Sequence, residues 1–244
     1  MIHASRTTYY NSLVTNRVMD YEFHAGLTIR KIFECGPMIK SLKQSALSNY
    51  FDFNGFIESA DSEIMLVFRK KYVSIRNRLY GNSVEASLKF QYALNEKNIF
   101  TRKRLEKGIV WEIEDELGIH ENELQLKEQK KLGAVQLLAA YRDIVEGGKP
   151  QLLFYAKAFI EKKAVEERFY DKIEKVKGKS KYNTETNKKV MKTDGNKLYW
   201  ILRERIFDYR INIDYIESNE VKLPMMPSSI ASFVMLRNYI AQVA

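Results

Sequence analysis

Leu105, Ile109, Ile113 and Leu117 recur every fourth residue in TRKRLEKGIVWEIEDEL, and the run stops at Gly118. That spacing predicts a helix over residues 101–117 with one apolar stripe. Thr101 serves as its N-cap, and Gly118 takes the C′ position where a left-handed backbone favours glycine. Two β-rich runs precede it, NYFDFNGFIES and SEIMLVFRKKY, separated by the turn-forming Ala60-Asp61-Ser62. They predict an antiparallel hairpin. Behind it, VEGGKP divides KKLGAVQLLAAYRDI from PQLLFYAKAFI. Gly147-Gly148 reads as a turn between two strands, although AVQLLAAYRD taken alone is rich in helix formers. Strands and helices mixed in this order predict an α+β protein, a mixed β-sheet flanked by helices.

Further along, EKKAVEERFYDKIEKVK predicts a helix and YWILRERIFDYRINIDYIE a β-rich region. A terminal helix begins near PSSIASFVMLRNYIAQ with Ser228 as its cap. Between the first two lies KVKGKSKYNTETNKKVMK, which has little to bury and reads as a basic loop over residues 175–197. Residues 1–46 form a helix-bearing lead-in, and 47–244 are expected to form one domain.

The chain has 244 residues, a formal charge of +9 and a single cysteine, Cys35. A cysteine-built metal cluster and an intrachain disulfide are therefore excluded. His3, His24 and His120 are too scattered to suggest a histidine zinc site. Cys35 is expected to be a buried apolar residue. No run reaches the roughly 18 apolar residues of a membrane span, so the expected setting is cytoplasmic with no membrane partner.

The acidic end of the first helix is at odds with the charge of the chain. Glu112, Glu114, Asp115 and Glu116 crowd its last turns, where the helix dipole disfavours each carboxylate by up to about 1 kcal/mol. Glu112, Asp115 and Glu116 stand at i, i+3 and i+4 and so share a face. Three such carboxylates suit a hard cation such as Mg²⁺ or Mn²⁺, which holds water and a diphosphate together. The bland reading of the same residues is a solvated face paired with Lys127, Lys130 and Lys131.

WEIEDELGI resembles the second half of the Nudix box, G-x5-E-x7-R-E-U-x-E-E-x-G-U, where U is apolar. Glu112, Ile113, Asp115, Glu116, Gly118 and Ile119 fall in register, with Asp for the first Glu of the pair. The resemblance, spanning roughly 47–244, implies a Nudix-type sheet and Mg²⁺- or Mn²⁺-dependent hydrolysis of a nucleoside diphosphate derivative. Glu112, Asp115 and Glu116 would hold the metal and act in catalysis, with Glu85 as an added ligand from outside the helix. Tyr80 or Trp111 would stack on a base.

The register also has departures. Trp111 stands at the box arginine, Lys103 at the upstream glutamate and Lys97 at the opening glycine. Residues that orient metal ligands typically matter 10–100-fold. The alternative is a Nudix-type domain without turnover, acting as a nucleotide sensor or protein-interaction module. The expected partner is a nucleotide-type small molecule, with a homodimer left open. Nucleic acid, through Lys175–Lys192, is not the expected partner.

Overall fold

The computed structural model describes residues 6–35, 39–69, 78–95, 99–124, 134–180 and 195–243. The predicted hairpin forms from β1 (Asp52–Glu58) and β2 (Glu63–Arg69), antiparallel with Glu58 opposite Ile64. Then follow β3 (Tyr80–Gly81), β4 (Val84–Ser87), β5 (Gln136–Asp143), β6 (Lys149–Lys157) and β7 (Gly195–Leu202). The sheet runs β3-β2-β1-β6-β5, with β4 also paired to β1 and β7 to β2. It is a mixed sheet flanked by helices, the expected α+β class. AVQLLAAYRD is strand despite its helix formers, because tertiary pairing overrides a weak local propensity.

By contact, the chain divides into two units, residues 1–53, 86–108 and 139–153 in one, and 54–85, 109–138 and 154–244 in the other. In the first, the short helices α1 (Tyr9–Leu13) and α2 (Ile29–Phe33) belong to the lead-in segment. That segment holds the turn between β5 and β6: the Asn16 amide donates to the Glu146 carbonyl at 2.8 Å. Arg142 Nη1 donates to the Lys40 carbonyl at 2.6 Å. Gly147 and Gly148 have φ of +67° and +80°, so the predicted glycine turn is present. Asp143 caps it, accepting from the Val145 amide at 3.0 Å. The short helix α3 (Phe90–Ala93) also belongs to this unit.

The second unit is built on the β2–β7 pairing, where Ile64 opposes Ile201 and Leu66 opposes Tyr199. The helix predicted at 101–117 is α4 (Arg102–Leu117). Thr101 Oγ1 accepts from the Arg104 amide at 3.3 Å, the expected N-cap contact. Ile109, Ile113 and Leu117 of its stripe are 1% exposed or less. Two further helices pack apolar stripes: Val165, Phe169 and Ile173 of α5 (Lys162–Ser180), and Ile230, Phe233, Leu236 and Ile240 of α6 (Pro227–Val243). Phe56 and Phe233 meet edge to face at 6.3 Å between centroids. Three short strands, β8 (Arg210–Ile211), β9 (Tyr215–Glu217) and β10 (Lys222–Pro224), make a separate antiparallel sheet.

Several expectations need correction. Ser228 is not the cap of α6 but lies inside it. Pro227 opens the helix, where its fixed φ suits the first turn and its missing N–H costs nothing. Cys35 is exposed rather than buried. The basic segment starts later than 175, since α5 continues to Ser180, and ends earlier than 197, since β7 begins at Gly195. Its residues 181–194, together with Lys127, Lys130 and Lys131, lie outside the described residues. Arg203–Asp208, within the predicted β-rich region, is a 3₁₀ helix.

Gly118 has φ of +72° and its amide donates to the Glu114 carbonyl at 2.9 Å, the αL end predicted from sequence. A Cβ there would meet only ordinary contact with Arg168 at 3.4 Å, so any cost is conformational. Gly118→Ala is expected to destabilise by about 1–2 kcal/mol, the cost of a left-handed residue bearing a Cβ. Urea unfolding of the two proteins measures it, and equal midpoints would reject the αL requirement.

Candidate functional site

The last two turns of α4 carry the residues that the sequence singles out. Their environments differ sharply. Glu112 is buried at 5% exposure, whereas Asp115 and Glu116 are half-buried and Glu114 is exposed. The stripe of Ile109, Ile113 and Leu117 sets this arrangement by turning one side of the helix inward. Glu112, one residue before Ile113, follows it part of the way.

Asp115 lies 4.0 Å from the Lys172 ammonium of α5, so a lysine does face the acidic turn, although not one of those expected from sequence. Glu114 contacts His120 Nδ1 at 2.9 Å. Glu85 ion-pairs with Arg69 and also accepts from the Asn82 amide and the Ser229 hydroxyl, both at 3.2 Å. Its charge is thereby balanced within the fold. Among the described residues, no group of three or more His, Cys, Asp or Glu side chains stands where it could hold one metal ion. Glu112, Asp115, Glu116 and Glu85 therefore belong to no such group among the described residues.

The aromatic candidates separate as well. Tyr80 is buried edge-on against Phe68 at 4.9 Å and Tyr199 at 5.9 Å, a core position that leaves it no face for a base. Trp111 is half-exposed.

Directly after the helix, Arg168 fixes the chain. Its guanidinium donates to both carboxylate oxygens of Glu123, at 2.6 and 2.8 Å, and to the Gly118 carbonyl at 3.0 Å. The hydrogen bond from Arg168 holds the Glu123 carboxyl below its ordinary range. A depressed carboxylate contributes stability above its unfolded pKa, so this contact is present at neutral pH and lost as pH falls through the acid range.

Two charged clusters escaped the sequence reading. Glu58 ends β1 fully buried, accepting from the Tyr155 hydroxyl at 2.6 Å, with Lys157 at 3.2 Å and Arg203 at 3.9 Å. Burial, then the bond to Glu58, pushes the Tyr155 hydroxyl up. Lys149 is buried between Asp52, at 2.7 Å, and Glu146, over the Tyr50 ring at 4.8 Å. The only available signal was a charged residue inside or beside an apolar strand run, as in FNGFIES.

No protein family's sequence pattern matches this chain, and neither does any curated protein. Among solved structures it is similar to a NUDIX-family hydrolase from Clostridium perfringens, at 10% identity and a TM-score of 0.38, covering 81% of this chain and all of that one. It is also similar to a MutT protein from Methanosarcina mazei Go1, at 9% identity and a TM-score of 0.39, covering 80% and 94%. A third is the Nudix hydrolase RenU from M. smegmatis, at 12% identity and a TM-score of 0.36, covering 84% and 96%. No helix among the described residues is long and apolar enough to cross a membrane.

Proposed function

We propose that this chain is a Nudix-type domain that acts by binding a nucleotide-type ligand and has given up metal-dependent hydrolysis. One observation supports the loss of turnover: Glu112 is buried, Asp115 faces Lys172, and among the described residues no group of three or more metal-ligating side chains forms around them. Glu85 is already neutralised by Arg69. The substitutions at the orienting positions, Trp111 and Lys103, point the same way, because carboxylates without such support are poor ligands. Besides the carboxylates, the box keeps residues that build structure, namely buried Ile113 and Ile119 and the αL Gly118. The ligand class follows from the sequence resemblance.

The hydrolase reading makes an opposite forecast. A true metal site predicts that Glu116→Gln is neutral or stabilising by up to about 1 kcal/mol without metal, and that Mg²⁺ or Mn²⁺ stabilises wild type more than the variant. The binding reading predicts the same thermal response to either ion in both proteins. It also predicts that a nucleoside diphosphate derivative raises the melting temperature whether or not metal is present. Metal-dependent release of phosphate products by wild type, lost in Glu116→Gln, would overturn the proposal. So would the absence of any melting shift across a panel of such derivatives.

A further inference from the structure

The geometry points to a second binding surface on the first unit, one that takes single-stranded nucleic acid by stacking bases on the open faces of aromatic rings that guanidinium groups flank. Residues 1–53, 86–108 and 139–153 hold 14 Lys and Arg against 8 Asp and Glu, a net +6 of the chain's +9. The Lys175–Lys192 segment, with 7 Lys against one Glu, also carries +6, so this unit is a second basic region of equal net charge.

Within this unit, positive charge is interleaved with exposed rings. Arg6 Cζ stands 5.3 Å from the centroid of Phe90, which is 54% exposed. Arg17 Cζ stands 5.1 Å from the centroid of Tyr9, also 54% exposed. Tyr10 beside it is 69% exposed. Single exposed apolar residues are ordinary on a protein surface, but two exposed rings of one unit, each paired with a guanidinium group, are a more specific arrangement.

The two pairs are held in place. Thr7, between Arg6 and Tyr9, contacts the Ser48 hydroxyl at 2.7 Å. Thr8 caps α1, accepting from the Asn11 amide at 3.2 Å. Arg17 is anchored by donating to the Tyr50 hydroxyl, at 3.0 Å from Nη2. Rigid rings with open faces lose little entropy on binding, and the exposed face of each stays available to a flat ligand.

The charge selects the partner. A second copy docking through the same patch would set like charge against like, and an acidic peptide has few flat groups to offer the rings. A flexible single strand supplies a negative backbone and a π-face at every residue.

Fluorescence anisotropy of labelled thymine and uracil homopolymers with the full chain tests this. Binding is expected to weaken steeply between about 50 and 200 mM salt. Phe90→Ala and Tyr9→Ala are each expected to weaken it about 5- to 150-fold, the range for losing one stacked base. Arg6→Gln is expected to reduce the slope of log affinity against log salt by about one. Circular dichroism of the variants confirms that they fold, and Lys222→Gln, in the other unit, serves as a charge control that keeps wild-type affinity. Preference for thymine or uracil polymers decides between DNA and RNA without affecting the proposal. Duplex bound as tightly as single strand, unchanged affinity in the Tyr9→Ala and Phe90→Ala variants, or self-association in sedimentation without oligonucleotide binding would each overturn it. These assays use no nucleoside diphosphate, so their failure leaves the ligand reading above untouched.

Discussion

Lys149→Met is expected to destabilise the protein by about 3–5 kcal/mol, the cost of removing one partner from a buried ion cluster. The Lys149 side chain is 3% exposed, and those of Asp52 and Glu146 are 16% and 9% exposed. Methionine matches the length of lysine but leaves two carboxylates facing each other in a site with little water. Burial pulls the ammonium down, yet Asp52 and Glu146 more than offset it and hold the group above its ordinary value of 10.5. A raised lysine contributes stability that is complete below its ordinary pKa and lost only as pH rises beyond it. The deficit of the variant should thus be flat through neutral pH, shrink under strongly alkaline conditions as the wild-type lysine loses its proton, and shrink in acid as the orphaned carboxylates take one up. For a chain of this size the loss corresponds to a melting shift of roughly 6–20 °C. Adding Asp52→Asn and Glu146→Gln to Lys149→Met should recover much of it, since the orphaned charges are then gone. A single variant within about 1 kcal/mol of wild type would mean that the cluster is solvated.

Gly55→Ala should cost about 1–3 kcal/mol through overpacking. A Cβ at Gly55, in the middle of β1, would sit 2.5 Å from three ring atoms of Phe154. Phe154 is fully buried, so the ring has little room to withdraw. Phe154→Leu opens that space at the expense of lost packing. In the double variant the two costs should be less than additive, because the added methyl fills part of the volume the ring vacated. Denaturant midpoints for the two single variants and the double variant provide the cycle. Strict additivity would show that the ring and the glycine do not constrain each other.

Much of the architecture was legible in the sequence because it rests on local rules. The period-four stripe of Leu105, Ile109, Ile113 and Leu117 has a single helical solution, and Thr101 and Gly118 mark its ends by capping chemistry alone. The β1–β2 hairpin and the Gly147-Gly148 turn were equally local. The pairing of the sheet was not, because the partners of β2 are set by which apolar faces meet, and β7 lies more than a hundred residues away from it. AVQLLAAYRD reads as strand from the glycine turn that follows it, against its own helix formers, and its pairing in the sheet bears that out.

The acidic face shows the same division in its chemistry. Sequence spacing put Glu112, Asp115 and Glu116 within one turn of each other, and that much follows from helix geometry. Whether three carboxylates share an ion depends on what the rest of the chain places around them, and spacing carries no information about that. Lys172 arrives from α5, Arg69 takes Glu85, and the packing of Ile113 draws Glu112 inward. The buried Lys149 and Glu58 were illegible for a related reason: a charged residue in a strand run reads as solvent-facing until its counter-charges, distant in sequence, are brought to it. Local propensities fix where helices and turns begin and end, while the desolvation and pairing of charge depend on the meeting of distant segments, which only the tertiary structure decides.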